Sequence, residues 1–362
     1  MKKETEIKWM RIKKLLSEKN IKGVILNKIS NFAWFTGGGS NYVALNTENG
    51  ICWLLVTEEK IYLLTDNIEA KRIRQEEMID IPADDVIWIW HKDNGLEKNI
   101  KKIVQGRIAI DKPADVFEAV DIEKLHFPLT DMEIERFKNL GQKTTKIVSR
   151  VCYEINPGTT EIEVAGILSN LFWTNGCIPV VMLIASDERI ANYRHPIATN
   201  KKIEKSLMIA VCVYEKGLIV SMTRIVSFGK PSNETINKHR AVCNIDAAFI
   251  ATTKPGNRVD NVFNAGIEIY NKTGFPDEWE KHHQGGPCGY QTRYYRATAK
   301  TNDIIIPGQA FAWNPSITGT KSEDTIITTD NLPLIITENP QWPKQNIKYA
   351  DILISRPDIL VR

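Results

Sequence analysis

The chain of 362 residues contains no run of about 18 consecutive apolar residues, so no membrane-spanning helix is expected. It has no Cys-x-x-Cys pair. Its six cysteines are scattered at positions 52, 152, 177, 212, 243 and 288, most of them in apolar settings such as Ile51-Cys52-Trp53 and Val211-Cys212-Val213. That pattern reads as reduced, buried thiols in a cytosolic protein. Charge of one sign is also lacking: the net charge of +3 gives no reason to expect a nucleic-acid partner, and the Lys-rich start reads as a solvated helix face. That start, Met1 to Glu6, carries acids and runs into an amphipathic pattern rather than a signal-peptide core, so a cytoplasmic protein is expected. Gly37-Gly38-Gly39 lacks a G-x-G-x-x-G or Walker context and reads as a turn. No low-complexity segment is present, and no internal repeat stands out beyond a rhythm of helices and strands. What remains is 43% hydrophobic and 25% charged, an ordinary globular composition, in a chain long enough for two cores.

Apolar spacing predicts a helix over 4–20, a buried strand at Gly23-Val24-Ile25-Leu26, and a hairpin of Ile51–Val56 with Lys60–Leu64. Helices near 67–77 and 96–105 and strands at 85–90 and 107–111 complete an alternating α/β domain. Asn31 to Gly39 reads as a loop whose aromatics, Trp34 and Phe35 among them, could face another domain or a partner subunit. The stretch 112–130 suits a linker. Thr130-Asp131-Met132-Glu133 has capping-box spacing before a long helix to about 154, and Thr160-Glu161-Ile162-Glu163 opens another to Thr174. Helices near 232–252 and 259–273 follow, with strands around them. The expected fold class is α+β, with domains at 1–125 and 126–362.

Five segments carry the chemical argument. Leu207-Met208-Ile209-Ala210-Val211 and Val220-Ser221-Met222-Thr223-Arg224 read as paired strands. Gly285-Gly286-Pro287-Cys288-Gly289 follows two histidines. Phe311-Ala312-Trp313-Asn314-Pro315 and Ser322-Glu323-Asp324-Thr325 come last. In order and spacing, except for a short stretch between Asn314 and Glu323, these segments resemble the pita-bread family of creatinase, aminopeptidase P and prolidase. The resemblance implies a C-terminal pita-bread domain preceded by a smaller α/β creatinase-type domain. It also implies a site for two metal ions, whose ligands would fall on Ala210, Ser221, Gly286, Asn314 and Glu323. Two divalent cations about 3.5–4 Å apart need several oxygen or nitrogen donors. Alanine and glycine side chains offer none, so the metal positions read as vacated, no metal or other cofactor is expected, and only Glu323 is retained.

The family's further catalytic histidine falls on Arg293. Two other family histidines are kept, at His195 and His282. His195, held extended before Pro196, is the candidate proton carrier. Glu323 is the candidate acid or orienting carboxylate. Arg293 either clamps a substrate carboxylate or pairs with Glu323 in the vacated volume. His282, Tyr294 and Arg224 are candidate substrate contacts, although the resemblance makes Arg224 more often structural. Strand alternation allows one of His282 and His283 to face the pocket, and the resemblance selects His282. Cys288 sits near the site and reads as a packed thiol rather than a nucleophile.

Three functions follow from the resemblance. The first is a metal-independent hydrolase of a C–N bond in a small molecule or peptide. The second is a non-catalytic pseudoenzyme that binds peptides or proteins. The third is an Xaa-Pro metallopeptidase with an altered metal site, for which Glu323, Asp324 and His282 make a poor ligand set. The family implies a homodimer in which one subunit's small domain shields the other's site, with the Trp34-Phe35 segment as the candidate contact.

Overall fold

The structure is a computed structural model that describes residues 3–92 and 96–362; Met1 and Lys2 of the Lys-rich start lie outside these. Two compact units are present: residues 1–130 with 216–218, and residues 131–215 with 219–362.

The first unit begins with helix α1 (Lys3–Lys19), which buries Ile12, Leu15 and Leu16, the stripe expected from helical spacing. Strand β1 (Gly23–Lys28) opens with the apolar run Gly23–Leu26 and is buried as far as Asn27, as a central strand covered on both faces should be. It pairs antiparallel with β2 (Asn49–Thr57) and parallel with β5 (Ile108–Ile110). With β3 (Ile61–Asp66), β4 (Asp84–Trp88) and β6 (Glu118–Ala119) the sheet order is β4-β3-β2-β1-β5-β6. Ile25, Leu55, Leu64 and Ile110 of this sheet pack with Ile100 of a helix, Leu96–Ile103.

The expected loop at Asn31–Gly39 is instead largely the helix α2 (Ile29–Thr36). Gly37 ends it in the left-handed region (φ 72°), its amide donating to Ala33 O and Trp34 O. The rings of Trp34 and Phe35 are fully buried, Trp34 stacking on His126 at 4.8 Å. Neither ring is therefore free to meet a partner subunit, and the contact assigned to them is withdrawn.

The second unit repeats one pattern twice: two helices, then an antiparallel sheet. Helices α5 (Asp131–Glu154) and α6 (Glu161–Thr174) precede β7 (Ile178–Ser186), β8 (Ser206–Glu215) and β9 (Leu218–Ser227). Helices α8 (Asn233–Thr252) and α9 (Val259–Lys272) precede β10 (Gly285–Pro287), β11 (Ala310–Trp313) and β14 (Asp324–Ile327). The resemblance to the pita-bread family implies such an internal pseudo-twofold, but the residues alone do not display it, because the repeat lies in element order. Helix α6 starts with the expected capping box: Thr160 accepts from the Glu163 amide, and the Glu163 carboxylate accepts from the Thr160 amide. Phe249 of α8, Trp313 of β11 and Phe311 stack in the core between helices and sheet. Between β11 and β14 the chain makes a hairpin of only two residues a side, Ser316–Ile317 with Thr320–Lys321. This accounts for the short spacing between Asn314 and Glu323.

Candidate active site

The two sheets meet where β9 faces the start of β14. The Thr223 amide donates to Glu323 O (3.1 Å), and the Ser221 amide donates to Thr325 Oγ1 (2.7 Å). This junction points Glu323 into a cavity of about 130 Å³ whose lining includes His195, Cys212, His283, Arg293, Asn314 and Lys321.

Glu323 is buried, and both its oxygens are occupied. Oε1 accepts from Arg293 Nη2 (3.0 Å); Oε2 accepts from Thr223 Oγ1 (2.7 Å) and lies 2.8 Å from Lys321 Nζ. Burial pushes its pKa up, but the charges of Lys321 and Arg293 outweigh it and bring the carboxyl down to about 2. Glu323 is therefore held ionised near neutral pH, which does not suit a general acid. The other Arg293 terminal nitrogen, Nη1, donates to Ser221 Oγ (3.0 Å) and to Thr292 O. One guanidinium thus spans the Ser221 position, which reads as vacated, and the retained Glu323. Of the two expectations for Arg293, pairing with Glu323 is what the structure shows, while the same side chain still lines the cavity.

Opposite lie three imidazoles. His195 Nε2 and His282 Nε2 are 3.0 Å apart, so one donates to the other; His283 stacks on His282 with ring centroids 4.4 Å apart. Strand alternation fails at His282-His283 because β10 begins only at Gly285, and both rings turn toward His195. Burial, then the charge of Lys321, pushes His282 down to about 2; burial, then Arg293 and Lys321, pushes His283 down to about 4. His195 is lowered by partial burial of its ring and by Lys321 and Arg296. All three are neutral at pH 7. The His195 loop is tied to the His282 segment by Arg194, which donates to Glu278 Oε2 (2.6 Å) and Thr318 Oγ1 (3.0 Å). Burial raises the pKa of Glu278, but its bonds from Lys281, Thr318 and Arg194 bring it down to about 2.

Other expected residues sit elsewhere. Arg224 is 2% exposed and donates to Asp324 Oδ1 (2.9 Å) and to Thr337 O (2.7 Å). Asp324 also meets Arg356, which reaches Asp246, so Arg224 belongs to a buried ion-pair network and not to a substrate surface. Tyr294 turns its hydroxyl to accept from the Tyr290 amide (3.1 Å) and does not line the cavity. Cys288 is buried and its thiol is pushed up to about 12 by that burial, which fits packing and not nucleophilic attack. Two residues escaped the sequence reading. Lys321 was legible in principle, because two residues before Glu323 in an extended run it shares that residue's face. Cys212, 3.2 Å from Ser221 Oγ, gave no such signal, and His283, passed over there for His282, lines the cavity.

Two metal ions do not fit this donor set. Ala210 and Gly286 offer no ligand atom, and the Glu323 oxygens that would bind a metal already hold two cations. A Cβ at Gly286 would sit 2.4 Å from Tyr295 O, so the backbone has closed over the place a ligating side chain would need. Asn314 keeps a buried Oδ1 without a hydrogen-bond partner among the described residues, which is one neutral donor alone.

The family model for metallopeptidase family M24 matches residues 135–330, and that for the creatinase/prolidase N-terminal domain matches residues 8–126. An uncharacterized peptidase of Staphylococcus epidermidis is 21% identical over 92% of this chain and 99% of its own length. The Xaa-Pro dipeptidase of Pyrococcus furiosus is 21% identical over 89% of this chain and 94% of its own. Among solved structures, the Xaa-Pro dipeptidase from Bacillus anthracis superposes with a TM-score of 0.79 at 19% identity, covering 99% of this chain and all of that one.

Proposed function

Because the chain belongs to metallopeptidase family M24, we propose that it is a hydrolase of this fold that works without the paired metal ions, on a C–N bond of a small molecule or peptide bearing a carboxylate. The observation that carries this reading is Glu323, ionised, with both oxygens held by Arg293, Lys321 and Thr223. Two cations face one carboxylate, leaving one positive charge in the cavity unmatched, and an anionic group of a ligand would match it. His195, exposed and neutral, is placed to take a proton from water, with His282 fixing its ring through their hydrogen bond. Arg293 and Lys321 would position the substrate, and Glu323 would orient them.

A non-catalytic peptide- or protein-binding role is the second reading. It is favoured by the mutual saturation of Arg293, Ser221 and Glu323, which leaves few polar groups to stabilise a transition state. An Xaa-Pro metallopeptidase ranks below both, since its metals would have to displace two cations from Glu323. All six cysteines are unpaired, which supports a reducing, cytoplasmic setting, and the family likeness supports a homodimer.

The test is turnover in EDTA of Xaa-Pro dipeptides, N-acyl amino acids and amidino acids. Activity that persists there and falls about 10²–10⁴-fold in His195→Ala is expected. Activity that appears only on adding Mn²⁺ would overturn the reading. Tight binding of a carboxylate ligand with no turnover would leave the binding role.

A further inference from the structure

The three histidines beside the cavity have a geometry that proton transfer by His195 alone does not need. His195, His282 and His283 each bring a ring nitrogen to within 4.8 Å of the others, and His195 Nε2 and His282 Nε2 are 3.0 Å apart. In a tetrahedral site with metal–nitrogen distances of about 2.0–2.1 Å, neighbouring donors stand about 3.4 Å apart. The pair would need to open by only a few tenths of an ångström. His283 also keeps a buried Nδ1 with no hydrogen-bond partner among the described residues, and His282, whose Nε2 faces His195, is 8% exposed. A buried ring nitrogen without a partner is uncommon, and a bound ion would satisfy it.

We propose that His195, His282 and His283 form a binding site for one borderline transition-metal ion of the Zn²⁺, Co²⁺ or Ni²⁺ kind, distinct from the vacated paired-metal positions. Three imidazoles select such ions over Mg²⁺, Ca²⁺ or Mn²⁺, which prefer oxygen donors. The fourth coordination position stays open toward the cavity, for water or an anion. Lys321, Arg293 and Arg296 lie close by and oppose a cation, while Glu323 offsets part of their charge; an anionic fourth ligand would offset more. The segment bearing His282 is built for rigidity. Gln284 donates to Trp279 O (3.0 Å) and His282 O and accepts from the buried Tyr270 hydroxyl (2.9 Å), while Arg194 ties the His195 loop to Glu278. Preorganised ligands of this sort raise affinity. One consequence rests on the function proposed above: an ion on His195 takes the lone pair that would accept a proton, so metal binding and that catalysis exclude each other.

The experiment titrates tag-free, chelator-treated full-length protein with Co²⁺ and reads the visible d–d absorption of tetrahedral cobalt, with Mn²⁺ as a second titrant. One equivalent of Co²⁺ giving an intense four-coordinate spectrum, displaced by Zn²⁺, is expected. His283→Gln and His282→Gln should each weaken binding by more than the roughly 10–100-fold that loss of an outer-shell partner costs. Circular dichroism confirms that the variants fold, and for an unfolded variant the native protein's titration decides alone. Absence of a cobalt spectrum in native protein, or an unchanged one in folded His283→Gln, overturns the site. A spectrum accompanied by loss of turnover supports both proposals. A spectrum accompanied by a gain in turnover keeps this site and overturns metal-independent hydrolysis.

Discussion

At the scale of single residues, Glu323 decides most of the account. It sits in a low-dielectric position that would by itself neutralise it, and it is ionised only because Lys321 and Arg293 are there. Replacing it by glutamine leaves two buried cations without their counter-charge, so Glu323→Gln should lose about 3–5 kcal/mol of stability in urea unfolding. The pH dependence follows from the same shift. The folded-state pKa is about 2 against an ordinary value of 4.5, so the folded state holds its proton less tightly than the unfolded chain. The stabilisation is complete above pH 4.5 and is lost as pH falls from there toward 2. Glu278, also lowered to about 2, acts in the same window. Urea midpoints measured from pH 6 to pH 2.5 should fall steeply below 4.5, and the fall should be shallower in Glu278→Gln. An unchanged slope would separate Glu278 from its bonds to Arg194 and Thr318.

At the scale of elements, the catalytic-type unit is a repeated pair of helices and sheet, and the site lies where the repeats meet. Much of this was legible. The capping box at Thr160 and Glu163, the apolar stripe of α1 and the paired strands around Ala210 and Ser221 are local signals, and local signals survive folding. The segment Asn31–Gly39 was not legible, because three glycines and a run of aromatics suggest a loop, whereas Gly37 only ends a helix whose rings are buried by distant chain. The site divides in the same way. That the side chains of Ala210 and Gly286 offer no ligand atom is read directly from residue type. That Arg293 would reach Ser221, or that His283 would stack on His282, depends on backbone geometry outside regular strands. Gly286 illustrates it: Gly286→Ala should lower stability by about 1–3 kcal/mol through the clash with Tyr295 O, and Gly286→His should fail to restore a metal site. Arg194 joins two elements rather than lining the cavity. Arg194→Ala should lower thermal stability modestly, since Lys281 and Thr318 still hold Glu278, while cutting turnover by up to about 10²-fold, the cost of letting a positioned group drift by an ångström.

At the scale of the whole molecule, an M24 fold carries arginine and lysine against a single carboxylate, Glu323. On the function proposed above, this side-chain charge stands in for the metal charge of a paired-metal site. The chain shares the fold of an Xaa-Pro dipeptidase along 99% of its length, while its Ala210 and Gly286 side chains offer no ligand atom. Crystals grown in Mn²⁺ and measured at the manganese absorption edge test this most directly. The account predicts no anomalous peak within bonding distance of Glu323 and a guanidinium bridging Ser221 and Glu323. Two peaks about 3.5–4 Å apart on the Glu323 carboxylate, with Arg293 and Lys321 displaced, would contradict it.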